Sequence, residues 1–290
     1  MFRPRLRIPR VSALTAQPLS GMRTGSMAAA ARAMHTVPTL PYDVEKGIHE
    51  FLSPQGLDTA WTQYMGVTLE YLNQAIADTE FVDKEIKTLV TQTARDPDTA
   101  HIFNYASMAH NNHIFFQSLT NDPAPMPAKL NADLVASFGS LDTLRREMIG
   151  NALAMFGPGF VWLVKTALNE YRVMNTYLAG SPYPQAHWRH QSHDMNTLGL
   201  NNSAASFMES TQTRVAPVRT VAPGGINVTP LLCLNTWEHV WLTDYGISGK
   251  MQYCINWWDK INWDTVEQLA ALVRVTNSPV DPATLRAQSA

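Results

Sequence analysis

Apolar residues recur three and four positions apart through Leu57, Trp61, Tyr64, Met65, Leu69 and Leu72. That spacing lines them along one face of an α-helix, and Ser53-Pro54 just upstream supplies a start signal. Residues 85–93 and 106–119 carry the same period, so 37–125 reads as a helical hairpin domain. The stretch Asn121-Asp122-Pro123-Ala124-Pro125-Met126-Pro127 then breaks the chain and marks a domain boundary. Beyond it, 130–138 and 141–155 read as helices meeting at Gly139-Ser140. The period then changes. Phe160-Val161-Trp162-Leu163-Val164 follows Gly157-Pro158-Gly159 as an unbroken apolar run, which predicts a buried strand, and 171–177 and 229–234 predict two more. The span 237–273 is aromatic-rich and largely helical. The fold class is α+β, with a second domain at 126–275 of helices around a small sheet and a tail at 276–290.

Composition narrows the picture. Hydrophobic residues are 45% and charged residues 16% of 290, so the chain has the means to build a core. No apolar run has bilayer-spanning length, and membrane insertion is not expected. Cys233 and Cys254 are the only cysteines, with no CxxC spacing. A disulfide scaffold and a cysteine-based zinc site are excluded.

The net charge of −2 conceals an asymmetry. Residues 1–36 carry six arginines and no acidic residue, which leaves 16 basic against 24 acidic residues, or −8, for the remainder. A uniformly basic nucleic-acid binder does not fit that balance. The arginine-rich, Ser/Ala-rich, acid-free segment 1–36 reads as a mitochondrial transit peptide, with Arg32-Ala33-Met34 before His35-Thr36 as the cleavage region. A retained basic arm gripping RNA is the alternative. Import would place the mature protein in the matrix with both cysteines reduced. Residues 181–228 form a long insertion rich in Asn, Ser, Thr, Pro and Gly, a length that usually signals function or disorder.

Pro41-Tyr42-Asp43, Gly157-Pro158-Gly159-Phe160-Val161-Trp162-Leu163 and above all Asn235-Thr236-Trp237-Glu238-His239 resemble the iron/manganese superoxide dismutase family. Asp244-Tyr245 and Ile261-Asn262-Trp263 match its C-terminal signature. The resemblance runs from about Leu40 to Leu269 and implies that family's fold, with a small antiparallel sheet. It also implies a redox iron or manganese held by three histidines and one aspartate. Carried over residue by residue, those ligand positions read Ala60, Asn112, Asn235 and His239. His113 falls one residue late, which on a helix turns a side chain by about 100°, and His110 two residues early. The gate tyrosine of the family falls on Thr68, and its glutamine beside the metal on Met108 or Phe156. A degenerate metal site, no cofactor and no dismutase activity are the expectations.

The family's Trp-Glu-His motif also serves its dimer, a glutamate of one subunit meeting the ligand histidine of the other. Glu238 and His239 are kept, whereas the second cross-subunit contact falls on Tyr64 and Leu242 and is lost. A related but different partner chain is expected; a satisfied core pair is the plainer alternative. Matrix targeting, a lost metal site and a large insertion resemble the dismutase-like proteins of the fungal mitochondrial small ribosomal subunit, which pair as heterodimers. The resemblance implies a structural component of that subunit, contacting mainly other ribosomal proteins and at most limited rRNA. Arg189, Arg214 and Arg219 in the insertion are the expected contact residues. A divergent dismutase using His239, His113 and Asn235 and a non-ribosomal dimeric scaffold are the alternatives. His187, His190 and His193 are spaced for a metal site, yet a solvated or partner-contacting loop fits their surroundings better. Trp257, Trp258, Trp263 and Tyr253 read as core rather than as a base-stacking platform.

Overall fold

A computed structural model describes residues 34–166, 169–187 and 227–276. The predicted first helix begins at Pro54, where the Ser53 hydroxyl accepts the Gly56 N–H at 3.0 Å and proline occupies the first turn. Both features satisfy or remove amides that a helix start leaves unpaired. The helix is not uniform. Helix α1 (Pro54–Leu57) passes through a π-helical stretch (Asp58–Gln63) before α2 (Tyr64–Ile76). The widened turn sets Ala60 and Trp61 into the core. Helices α3 (Ile86–Thr93) and α4 (Ala100–Gln117) pack on each other, and α2 packs along α4.

After the proline-rich break come α5 (Ala128–Phe138) and α6 (Leu141–Ala154). They meet at Gly139, whose φ of 80° is a left-handed conformation that glycine adopts freely. Ser140 caps α6 by accepting the Thr143 N–H.

The three expected strands are present: β1 (Gly159–Thr166), β2 (Tyr171–Tyr177) and β3 (Val228–Asn235). They form one antiparallel sheet in the order β2-β1-β3. The central strand is buried along its whole length, which is why it reads as a continuous apolar run. Register slips between Leu163 and Val164, whose partners are Leu232 and Pro230. Pro230, which has no N–H to give, therefore sits at an irregularity on an edge strand. Gly159 is obligatory, because a Cβ there would run into the Thr176 carbonyl.

Among the described residues the remaining α-helices are α7 (Pro184–His187), α8 (Glu238–Tyr245), α9 (Lys250–Trp258) and α10 (Trp263–Thr276). Trp257 and Tyr253 are fully buried and Trp263 nearly so, as core residues. The Asp244 carboxylate accepts the Ser53 N–H at 3.0 Å, tying α8 to the start of α1. A single hydrophobic core runs from Ile48 in the helical half to Ala270 on α10. Lys165 lies just beyond the predicted apolar run, within the observed strand. It is only 1% exposed, its Nζ donating to the Ala270 carbonyl at 3.0 Å and lying over the Tyr171 ring. No helix among the described residues is long and apolar enough to cross a membrane.

Candidate functional site

Three residues far apart in sequence converge where the helical half meets the sheet. Ala60 comes from the π-helical stretch, Asn112 from α4 and Asn235 from the end of β3, and all three are fully buried. Asn112 Nδ2 donates to the Ala60 carbonyl at 3.3 Å, and Asn235 Nδ2 donates to Asn112 Oδ1 at 3.0 Å. Asn235 Oδ1 in turn accepts the Trp237 N–H at 2.9 Å, while its backbone carbonyl accepts the Tyr253 hydroxyl at 2.7 Å. Two neutral amides thus form a bridge between helix, helix and strand. Each satisfied pair avoids the cost of burying an unpartnered polar group, about 1–3 kcal/mol.

His239 lies four residues beyond Asn235, in the first turn of α8. Its ring stacks on Tyr64, centroids 3.8 Å apart and planes 12° from parallel, and the Trp237 ring stands 5.8 Å away. Burial pushes the imidazole pKa down to about 4, so the ring is neutral at pH 7. Its Nε2 is buried without a hydrogen-bond partner. The Tyr64–His239 contact is absent from the sequence expectation, which placed Tyr64 at a lost contact between subunits. The two residues are 175 positions apart, and no local pattern joins them.

A cleft of about 420 Å³ opens beside this cluster, its walls including Tyr64, Thr68, Tyr71, Tyr105, Met108 and Trp237. Thr68 and Met108 line the cleft. Phe156 does not. It is 104% exposed at the turn between α6 and β1, and Leu178 and Ala179 after β2 line the cleft instead. The turn Gly157-Pro158 carries Phe156 outward before the chain enters the sheet. His113 rests against Trp61 with ring centroids 6.0 Å apart, and its pKa is lowered by burial. His110 instead bonds the Tyr183 hydroxyl at 2.8 Å, in a pocket that lowers its pKa to about 4. That bond fastens the root of the 181–228 insertion to α4.

The donor set does not fit a catalytic iron or manganese ion. Ala60 offers only a backbone carbonyl, already engaged, and both amide oxygens accept hydrogen bonds, which leaves one imidazole. Among the described residues no group of three or more His, Cys, Asp or Glu is placed to hold a metal. The arrangement can hold elements together, but it offers neither the charge nor the ligand number for redox chemistry. Glu238 is exposed beside it, and Leu242 is 41% exposed on the same helix. Arg189, Arg214, Arg219, His190 and His193 lie outside the described residues, and so do the contacts expected of them.

The comparisons with known proteins agree with this architecture. Residues 126–195 and 185–269 match the model for the C-terminal domain of iron/manganese superoxide dismutases. The small ribosomal subunit protein mS43 of Schizosaccharomyces pombe is 31% identical, covering 85% of this chain and 86% of that protein. The small ribosomal subunit protein mS42 of the same yeast is 30% identical over 64% of this chain and 74% of that protein. The chloroplastic iron superoxide dismutase 2 of Oryza sativa subsp. japonica is 24% identical over 81% of this chain and 76% of that protein. With a dismutase-type sheet and helices assembled around a cluster of amides, this chain belongs to the superoxide dismutase-like family that includes the small ribosomal subunit proteins mS43 and mS42.

Proposed function

We propose that this protein is a structural component of the small subunit of the mitochondrial ribosome, a dismutase fold whose metal chemistry has been replaced by internal hydrogen bonding. The observation that carries the reading is the Ala60–Asn112–Asn235 bridge. At positions where the dismutases carry two histidines and an aspartate, this chain places a methyl group and two amides that bind each other. His239 alone keeps a ligand side chain. The kinship to two small-subunit proteins supports the ribosomal role, and the arginine-rich, acid-free segment 1–36 supports import into the matrix.

The partner we infer is a related dismutase-like chain rather than a second copy. Glu238 is exposed next to His239, at the place where the dismutase dimer exchanges its glutamate–histidine contact. Large apolar side chains also stand exposed, Phe156 at 104%, Ile247 at 90% and Met251 at 58%, and the bond from Lys250 Nζ to the Met155 carbonyl sets the start of α9 beside the Phe156 turn. Exposed apolar residues collected on adjoining turns are usual at protein contacts. The acidic body of the chain suits contact with basic ribosomal proteins more than extended contact with rRNA.

Sedimentation of a tagged protein from mitochondrial lysate tests the role. Co-migration with the small subunit, both at high magnesium and after partial magnesium depletion, is the expected result. Slow sedimentation as a free dimer would overturn the assignment. Iron or manganese in stoichiometric amount on that dimer would then favour an enzyme.

A further inference from the structure

Four aromatic side chains share the walls of the cleft of about 420 Å³: Tyr64 and Tyr71 from α2, Tyr105 from α4, and Trp237 just ahead of α8. Tyr71 and Tyr105 meet with ring centroids 5.5 Å apart and planes 34° from parallel, so the two rings do not cover each other face to face. Tyr71 is 48% exposed, and Tyr105 and Trp237 are half-buried. The volume is within the range of small-ligand sites.

The charge of the surroundings narrows what fits. Among the described residues none that lines the cleft carries a charge. The chain beyond residue 36 holds 16 basic against 24 acidic residues, a balance of −8. With no cation in the walls to meet a phosphate or carboxylate, an anionic ligand or a nucleic-acid strand is disfavoured. A cation is drawn by the negative field of the body, and the faces of tyrosine and tryptophan attract it through the ring quadrupole. A primary ammonium must find acceptors for three N–H groups as it leaves water. A quaternary ammonium has no N–H and is served by ring faces alone.

The mouth of the cleft adds an apolar track. Val67 and Leu178 stand there 50% and 58% exposed. Leu178 is held at φ 52°, a left-handed conformation that costs a leucine backbone strain. Its N–H donates to the Pro158 carbonyl at 2.9 Å, and Asn111 Nδ2 donates to the Gly180 carbonyl at 2.9 Å. These bonds fix the turn that carries Leu178 at the cleft. An apolar track leading to aromatic walls matches a hydrocarbon stem that ends in a charged head.

We propose that this cleft is an aromatic cage for the trimethylammonium group of a methylated lysine side chain, the stem lying along Val67 and Leu178. The inference goes beyond the ribosomal reading and does not depend on it, because the cage is complete within this chain.

Isothermal titration of the purified full-length chain tests it, with the amide of N-acetyl trimethyllysine as the probe. Three controls each lack one feature: the unmethylated lysine amide, an uncharged analogue whose stem ends in a tert-butyl group, and choline, which has no stem. Saturable binding of the trimethyllysine amide is expected, roughly tenfold tighter than that of each control. Tyr71→Ala should weaken it by roughly tenfold, while Tyr71→Phe, which keeps the ring, should bind as the native chain does. Urea midpoints of both variants check that the fold is intact. Absence of saturable binding, or equal binding of the tert-butyl analogue, would overturn the cage. Choline bound as tightly as the lysine amide would overturn the assignment to a lysine side chain. Equal loss from Tyr71→Ala and Tyr71→Phe would remove the ring face as the basis of recognition.

Discussion

The phenol ring of Tyr64 lies almost parallel on the imidazole of His239, 3.8 Å between centroids. Through that contact the first turn of α2 rests on the first turn of α8, next to the amide bridge. A metal ion in a dismutase draws its helices and strand together by coordination. In this chain the same elements are joined by an aromatic stack and two hydrogen-bonded amides. Stacked aromatic pairs contribute about 0.5–1.5 kcal/mol beyond the area they bury.

Tyr64→Ala should therefore lower the unfolding free energy by about 2 kcal/mol, whereas Tyr64→Phe, which keeps the ring, should cost under about 1 kcal/mol. Urea unfolding followed by tryptophan fluorescence measures both. Equal losses from the two variants would show that the hydroxyl, not the stack, matters.

Replacing the amide by a carboxylate should harm the fold most at neutral pH. In an Asn235→Asp variant the buried carboxyl would face the Asn112 oxygen and lose its donor, so its pKa rises on folding. A carboxyl with a raised folded pKa is tolerated below its unfolded pKa, and stability falls as pH climbs through the folded value. The expected penalty, on the order of 3 kcal/mol at pH 7, shrinks toward pH 4.5. A penalty independent of pH would mean the site is wetter than its burial implies.

Acid should weaken the native protein itself. His110 and His239 are held near pKa 4 by burial, below the ordinary imidazole value of 6.5. Between those limits the unfolded chain binds protons that the folded chain refuses. Stability therefore rises with pH from about 4 to 6.5 and is lost as pH falls through that window. Urea midpoints at pH 7.5, 6.0 and 5.0 should decline in order, and His110→Gln together with His239→Gln should flatten the decline. A pH-independent midpoint in the native chain would contradict the burial of both rings.

Chelation should leave the folded protein unchanged. With one imidazole and two engaged amides at the cluster, a strong chelator should not move the thermal midpoint, and added iron or manganese should not raise it. A concentration-dependent rise with either metal would reveal a site that this donor set does not account for.

The partner face makes a separate prediction. Phe156→Asp and Glu238→Lys alter exposed side chains and should change the stability of the isolated chain by less than about 0.5 kcal/mol. Both should sharply reduce incorporation into the small ribosomal subunit, read by sedimentation. Replacing 188–226 with a short Gly/Ser linker should have a similar effect if the insertion makes ribosomal contacts. Normal incorporation of all three variants would place the contacts elsewhere.

Much of the architecture was legible along the chain because local rules governed it. The strand at 171–177 has the expected bounds, and β1 and β3 each extend the predicted runs by one to two residues at their ends. Gly139-Ser140 marks the junction of α5 and α6 because a left-handed residue followed by a hydroxyl cap stops one helix and starts the next. The family resemblance singled out Ala60, Asn112 and Asn235 together, and the structure brings the three into one buried, hydrogen-bonded cluster.

The sequence by itself determined the order and type of the elements, the basic, acid-free composition of residues 1–36, and the residue types at the cluster. Those properties depend on periodicity, composition and caps within a few neighbours. Only the tertiary structure decided what the cluster does. The pairing of Asn112 with Asn235, the seat of His239 on Tyr64, the exposure of Phe156 and the grip of Asn73 on His35 join or separate residues by geometry across the fold. Amide orientation, ring stacking and solvent access are set by how helices and strands pack in space, and no pattern within a single segment encodes that packing.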